Sequence, residues 1–251
     1  MVNGAKNVGS SHPWKHSWAD ACAVRNDLVA KDFLAMVVHP ALTALYQKHQ
    51  EYATADDSVL RCFAAVDQLD LINKTASAFC LSIQAMWERQ LRTYLANCVS
   101  SVPINNIDPH RLEHAQWGER MDALFHDVRG IRLQSFDSYQ MLTVLHLQAN
   151  VCRHGGGRSS RELSHKWPHL HPEEAGTICL EVSEGLLSAF VDAIVLFWMD
   201  MERFGLESYK GEKPVDRIAF LNRHRLELLD NINRTLSFVP SRADPTRAGS
   251  T

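Results

Sequence analysis

The segment DDSVLRCFAAVDQLDLINKTASAFCLSIQAMWERQLRTYLANCVS, residues 56–100, decides the fold class of this chain. Its apolar side chains recur at steps of three and four, from Phe63 through Ile72 and Ile83 to Leu95, which is the spacing of one face of an α-helix. Almost no stretch of the 251 residues alternates with period two, and glycine is sparse at 12 residues. The pattern predicts an all-α fold with one long helix, or two nearly collinear ones, over about 56–100.

The same helical spacing, together with capping residues and helix breakers, predicts the other helices. Ser135 or Asp137 is expected to cap the helix that ends at Gly155, Ser159 and Glu162 form a capping box, and Ser183 caps an apolar helix. A brief extended stretch is expected at Thr177–Val182. The predicted helices cover about 17–38 (ended by Pro40), 41–52, 109–128 (ended by Gly130), 136–154, 159–168, 184–204 and 214–236.

Composition limits the class of protein. Apolar residues make up 45%, enough for a buried core, and the formal charge is -3, so attraction to nucleic acid requires a local basic patch. Six scattered cysteines without C-x-x-C spacing indicate free thiols in a reducing cytoplasm. The apolar run Leu186–Met199 is interrupted by Asp192 and is too short to span a membrane. We expect a soluble cytoplasmic protein, one all-α domain over 1–251 with disordered ends at 1–14 and 241–251.

The strongest candidate for a functional site is LQANVCRHGGGRS, residues 147–159. On a helix, Asn150, Arg153 and His154 share one polar edge with His146. Gly155, Gly156 and Gly157 end that helix, Arg158 follows, and Ser159 opens the next helix with unpaired backbone N–H groups. These groups suit a phosphate, although glycines, basic last turns and serine caps are also ordinary at helix ends. The Gly-Lys-Ser/Thr ending of a P-loop is absent.

Two motifs carry a resemblance to a known family. Asn150-Val-Cys-Arg153-His154-Gly155 resembles the N-x-x-K/R-H-G turn of HEPN-like proteins, an all-α superfamily of bacterial toxin–antitoxin, anti-phage and RNA-processing systems. Met86-Trp-Glu-Arg-Gln-Leu-Arg-Thr-Tyr-Leu95 resembles the W-E-R-Q-L-R-x-x-L helix of some HEPN-like families. The resemblance implies an up-and-down helical bundle with a HEPN-like core over about 56–205. Such bundles are often dimeric, and the active members of the family cut RNA without a metal.

The resemblance also implies roles for residues. His154 moves a proton and an arginine stabilises the phosphorane, which leaves a 2′,3′-cyclic phosphate. Ala149 stands where the family places its catalytic arginine, so Arg153 or Arg158 has to reach the phosphate, or Arg158 and His165 supply the Arg-x4-6-His spacing instead. The predicted catalytic residues are His154, Arg153, Arg158 and Asn150; the predicted substrate-binding residues are Gly155, Gly156, Gly157, Ser159, Glu88 and Arg89.

Two other function classes remain open from the sequence. A degenerate HEPN-like module would bind RNA, a nucleotide or a protein without catalysis, and Ala149 is the feature that favours it. A helical interaction module would use an exposed apolar stripe on the helix Pro214–Leu236.

Partners and metals follow from other features. RNA, a second copy of the chain and an antitoxin or defence-system protein are the expected partners, with Phe190, Phe197 and Trp198 as a candidate dimer face. His169 and His171 with Glu173 or Glu174 have the chemistry of a metal site. A histidine pair two residues apart is usually an ordinary polar loop, and we predict no metal and no cofactor.

Overall fold

The computed structural model describes residues 17–58, 60–101, 107, 109–170, 173–174, 177–178, 182–208 and 211–237. Within these residues the fold is all-α, as predicted, apart from one hairpin of two very short strands. The α-helices are α1 Ser17–Ala23, α2 Asn26–Phe33, α3 His39–Ala53, α4 Ala65–Ser101, α5 Pro109–His114, α6 Glu119–Arg129, α7 Tyr139–His154, α8 Arg158–Lys166, α9 Glu184–Ser208 and α10 Val215–Ser237. The strands are β1 Glu173–Glu174 and β2 Thr177–Ile178.

α9 is the central helix of the bundle. It packs against α10, α2, α7 and α4, and its residues from Leu186 to Met201 are buried on nearly every side. Aromatic rings of α4, α6 and α9 meet edge to face around Phe197, whose centroid lies 4.8 Å from that of Trp87 and 5.9 Å from that of Phe125. Because Phe190, Phe197 and Trp198 are all in this core, the prediction that they form a dimer face is wrong.

Pro40 does not end the first predicted helix. A π-helical turn, Leu34–Val38, joins α2 directly to α3, and the N–H of His39 donates to the carbonyl of Leu34, five residues back. Pro40 then falls in the first turn of α3. The wider π turn shifts the hydrogen-bond register next to Pro40, which has no backbone N–H to donate. The chain therefore stays helical through Pro40.

The long helix predicted from residues 56–100 is confirmed. A π-helical turn, Leu60–Ala64, leads into the 37-residue α4. Its buried face includes Ile72, Ile83, Trp87 and Leu91, which follow the predicted steps of three and four. Three other helices, α1, α3 and α7, pack against α4.

The single helix predicted over 109–128 is two helices. α5 ends at His114 and α6 begins at Glu119, after Gly118 with φ +103°. The Arg92 guanidinium of α4 donates to the carbonyls of Leu112 (3.0 Å) and Ala115 (2.7 Å). These last carbonyls of α5 have no intrahelical partner, so a cation from another helix closes that end. The predicted end of α6 at Gly130, which has φ +71°, is confirmed.

Some of the remaining predictions of helix caps and helix bounds are confirmed and others are wrong. Ser183 does cap α9, since the N–H of Leu186 donates to its hydroxyl at 3.1 Å. Neither Ser135 nor Asp137 caps α7: its first turn follows Ser138, and Ser135 lies in a 3-10 turn, Leu133–Ser135. α10 agrees with the predicted helix over 214–236. Thr177–Ile178 is extended, as expected, and pairs antiparallel with Glu173–Glu174.

A charged network anchors α10 to the core. Asp200 of α9 is 2% exposed, and its carboxylate accepts a hydrogen bond from Arg225 at 2.9 Å and lies 3.5 Å from Arg203. Arg225 also donates to Asp137. A buried carboxylate is tolerated only with such partners, and here they fix α10 against α9.

α10 does not present a continuous apolar stripe. Val215, Phe220 and Leu226 are exposed, but polar Asn222 and Arg223 lie between them. The exposed apolar stripe that would support a helical interaction module is therefore not found among the described residues of α10.

One helical stretch of the described residues, Ser17–Ala53, is long and apolar enough to cross a membrane, and most of its apolar part is exposed. Core helices and signal sequences meet the same criteria, so this is weak evidence for a membrane. The apolar run Leu186–Met199, predicted to be too short to span a membrane, lies in the core. The predicted disordered ends, 1–14 and 241–251, lie outside the described residues.

Candidate functional site

The glycine loop turns the chain sharply between α7 and α8. Gly155 has φ +73°, and its N–H donates to the carbonyl of Val151 at 2.7 Å. Gly157 has φ +144° and precedes the first turn of α8. Both backbone conformations are ones that residues with a Cβ rarely adopt, so this corner depends on glycine at these two positions.

The predicted capping box at Ser159 is wrong. α8 begins one residue earlier, at Arg158, and the carbonyl of Gly157 accepts from the N–H of Arg161 at 3.1 Å. Glu162 does not reach back to the helix start, because its carboxylate pairs with Lys166 at 2.7 Å. The glycine loop replaces side-chain capping here, which leaves the first N–H groups of α8 without a side-chain acceptor.

Five basic side chains lie in the last turn of α7 and along α8, on either side of the glycine loop, and we call them the basic corner. All are exposed, and none makes a hydrogen bond or an ion pair with a residue that the structure describes. They are Arg153, His154, Arg158, Arg161 and His165. Arg153 acts electrostatically on Glu88, but no described carboxylate pairs directly with any of the five side chains, so their positive charge is available to an anion.

A half-buried polar cluster adjoins the basic corner along α7. The Asn150 side-chain amide donates to His146 Nε2 at 3.1 Å. His146 Nδ1 therefore carries the hydrogen of the neutral ring, and it lies 3.8 Å from Glu88 Oε1 of α4. Arg153 and Glu162 are close enough to influence the imidazole electrostatically. Histidine and carboxylate are thus paired across the α4–α7 contact.

Burial shifts both partners toward their uncharged forms. It lowers the pKa of His146, with the positive charge of Arg153 as the second cause, while Glu162 acts in the opposite direction. Burial also raises the pKa of Glu88, against the effects of Arg92 and Arg153. His146 is consequently neutral at physiological pH and able to accept or relay a proton. A perturbed acid–base pair of this kind is typical of functional sites, although structural clusters also produce it.

The two substrate-binding candidates of α4 have different positions. Glu88 contacts α7 at His146, eight residues before His154, and Arg153 of the basic corner acts on its carboxylate electrostatically. Arg89 is exposed and makes no hydrogen bond or ion pair with a described residue. The structure thus brings Glu88, but not Arg89, to the predicted site.

Ala149 occupies the core face of α7 and is completely buried. An arginine at this position would meet the hydrophobic core instead of the solvent-exposed turn. Arg153 and Arg158 are exposed on either side of the glycine loop, so they are the arginines available near His154. Ser159 is half-buried in the first turn of α8.

Sequence reasoning placed His146 on the polar edge but gave it no role. The signal that was available is the combination of Glu88 and His146, each on the polar side of an amphipathic helix. Pairing them requires knowing that α4 and α7 are neighbours, which the linear pattern does not specify.

No cluster of three or more metal-ligating side chains occurs among the described residues. His169 Nε2 instead lies 3.0 Å from the carbonyl oxygen of Thr235, as a hydrogen-bond donor. His171 and the side chains of Glu173 and Glu174 lie outside the described part of the chain.

Comparisons with known proteins add no relative: no family model, no curated protein and no solved structure matches this chain.

Proposed function

We propose that this protein is a HEPN-like cytoplasmic protein of a bacterial defence or toxin–antitoxin system that binds RNA at the basic corner and cleaves it. The observation that supports the proposal is the unneutralised charge of the corner. Five basic side chains on two helices, next to the N-terminus of α8, make no direct ion pair with a described residue. Phosphodiesters are the anions that such a surface binds along a polymer.

Cleavage in this proposal needs no metal. His154 takes the proton of a ribose 2′-OH, the 2′ oxygen attacks the adjacent phosphorus, and the P–O5′ bond breaks as the protonated His154 returns that proton to the leaving 5′ oxygen. Arg153 and Arg158 stabilise the charged phosphorane, and the products carry 2′,3′-cyclic phosphate and 5′-OH ends. Asn150, Glu88 and His146 are positioning residues, since they fix the polar edge of α7 on which Arg153 and His154 lie.

A second candidate function is RNA binding without cleavage. It is favoured by Ala149, which is buried where the resemblance requires a catalytic arginine. The same corner would then act as a phosphate-binding surface only, and a nucleotide or a protein partner would be alternative ligands.

Two measurements on the purified protein separate these functions. Labelled total RNA is incubated with it in EDTA, and binding of a labelled single-stranded RNA is followed by fluorescence polarisation. His154→Ala should reduce cleavage at least about 100-fold and leave RNA binding within about threefold of the wild type. His49→Ala is the matched control, because His49 is remote from the corner in sequence and makes no described hydrogen bond.

Each outcome has a defined meaning. Cyclic phosphate ends that are lost in His154→Ala support the nuclease. Binding without cleavage supports the second candidate, and the absence of binding overturns both.

We also propose a homodimer, through the apolar surface of α2 and α3. Eleven of the fourteen exposed large hydrophobic residues found in the described structure lie between Trp18 and Leu71, and no Asp, Glu, Lys or Arg occurs from Phe33 to Gln47. A segment without charges offers no ion pair to a charged partner, but its exposed apolar side chains can pair with their own copy around a two-fold axis.

Light scattering after gel filtration tests the dimer. Met36, which is 74% exposed, is replaced by glutamate, and Leu226, which is 64% exposed on α10, is the control. Met36→Glu should give a monomer and Leu226→Glu should remain a dimer. A monomeric wild type overturns the proposal.

A further inference from the structure

A cavity of about 490 Å³ lies between the N-terminal helices and α9. α1 and α2 form one wall, α9 forms the other, and Tyr94 of α4 lies at the base. The size is within the range of small-molecule sites, roughly 300–1,000 Å³. The cavity is separate from the basic corner and plays no part in the proposed RNA chemistry.

The walls of the cavity are mostly apolar. Trp198 and Met201 of α9 contribute large side chains, and Ala21 of α1 and Val24, just after α1, also line the cavity. The indole N–H of Trp198 donates to Gln90 at 2.9 Å, so this ring is fixed in place by a hydrogen bond. Tyr94 and Trp198 meet edge to face with centroids 5.5 Å apart. A rigid aromatic wall of this kind receives the apolar body of a ligand.

All charged residues that line the cavity are acidic. They are Asp20, Asp27 and Glu202, with no lysine, arginine or histidine among the lining residues of the described structure. Two of the three carboxylates have cationic partners. Asp20 accepts from the Tyr94 hydroxyl at 2.8 Å and lies 3.5 Å from Arg129, and Glu202 forms a bidentate pair with Arg217, both contacts at 2.7 Å.

Asp27 differs from the other two carboxylates. It makes no hydrogen bond or ion pair with any residue that the structure describes, and Arg217 influences it only at longer range. It is half-buried at the start of α2, where the cavity opens. A carboxylate beside an apolar cavity, with no cation paired directly to it among the described residues, favours a ligand that brings its own positive charge.

We propose that the cavity binds a small organic cation, an ammonium or guanidinium group that pairs with Asp27 and carries an apolar body of a few carbon atoms against Trp198 and Met201. Cation–π attraction to the aromatic wall adds to the charge pairing. A carboxylate ligand would be repelled by Asp27, whose charge has no direct partner among the described residues. A neutral ligand of the same shape gains the apolar contact but not the pairing with Asp27.

Titration calorimetry with matched probes tests the proposal. The cations are n-butylammonium, cyclohexylammonium and 2-phenylethylammonium; 2-phenylethanol and 3-phenylpropanoate are the neutral and anionic counterparts of the last. At least one cation should bind. Its neutral counterpart should bind at least about tenfold more weakly, and the anion should not bind.

Three variants of the full chain locate the site. Asp27→Asn should weaken binding of the cation about tenfold, and Asp32→Asn, an exposed carboxylate on the same helix that does not line the cavity, should leave it unchanged. Ala21→Phe, which narrows the cavity and keeps every charge, should abolish binding. Unfolding curves of each variant confirm that the protein is folded.

Several results would overturn the proposal. These are no binding by any of the three cations up to about 10 mM, equal binding of 2-phenylethanol and 2-phenylethylammonium, or Asp27→Asn indistinguishable from the wild type. RNA cleavage and RNA binding are measured on the same variants. They should not change, so failure of this site and failure of the basic corner are distinguishable.

Discussion

The basic corner and the base of the cavity use arginine in opposite ways. Arg153 and Arg158 are exposed at the corner and have no described ion pair, whereas the side chain of Arg129 is 1% exposed and lies 3.5 Å from Asp20. Arg129 also lies over the ring of Tyr94, 5.5 Å from its centroid. The fold therefore depends on the charge of Arg129 but not on those of the corner, which are free to serve a ligand.

Stability measurements give the strongest test of this comparison. Arg129→Met leaves the Asp20 carboxylate without its buried cation, and we expect the free energy of unfolding to fall by about 3 kcal/mol. Arg158→Met at the corner should change it by less than about 0.5 kcal/mol. Urea denaturation of both variants provides the comparison, and equal losses would show that the corner is structural.

RNA binding, unlike stability, should depend on the arginines of the basic corner. Arg153→Ala combined with Arg158→Ala removes two phosphate contacts, so the dissociation constant should rise roughly 10- to 100-fold and its dependence on salt should become shallower. Arg223→Ala is the control, an exposed arginine of α10 with no described hydrogen bond. A double variant that binds as tightly as the wild type would place RNA elsewhere on the protein.

The backbone of the corner, unlike its charges, should matter for stability. Gly157 has φ +144°, and its added Cβ would meet no atom within 4 Å. Any loss on Gly157→Ala is therefore backbone strain and not a clash, which predicts about 1–3 kcal/mol. Gly185→Ala in α9, where φ is helical, should cost nothing or stabilise. The two unfolding free energies are measured side by side, and a neutral Gly157→Ala would show that the loop adjusts freely.

The polar cluster between the two regions should give the smallest effect, a dependence of stability on pH. The pKa of His146 is lowered in the folded protein, so the unfolded chain binds the proton first as the pH falls. Stability is fully present above about pH 6.5, the ordinary value for histidine, and declines below it. His146→Gln keeps an acceptor for Asn150 but cannot titrate. Its stability curve should be flatter between pH 7 and pH 5, and identical curves would exclude a lowered pKa.

How much of this could be predicted from the sequence depends on the distance over which the determining contacts act. The helical period of α4, the ends at Gly130 and Gly155 and the cap at Ser183 depend on neighbouring residues, and those predictions are confirmed. The break after α5 depends on Arg92, about twenty residues earlier in the chain, and the prediction of one helix there was wrong.

The candidate site divides in the same way. The sequence predicts the last turn of α7, with Arg153 and His154 beside the glycines, because these residues are consecutive. The pairing of Glu88 with His146 and the cavity beside Asp27 require contacts between helices that are distant in the sequence. Only a folded structure reveals them.

The π-helical turn before Pro40 has a consequence for how this chain can change during evolution. Deleting one residue from Leu34–Val38 would return the turn to ordinary α-helical register, which by itself a helix tolerates. The ring of Pro40 would then press on the carbonyl four residues before it and kink the helix. Loss of the extra residue and loss of the proline must therefore occur together, and a homologue that lacks one should lack the other.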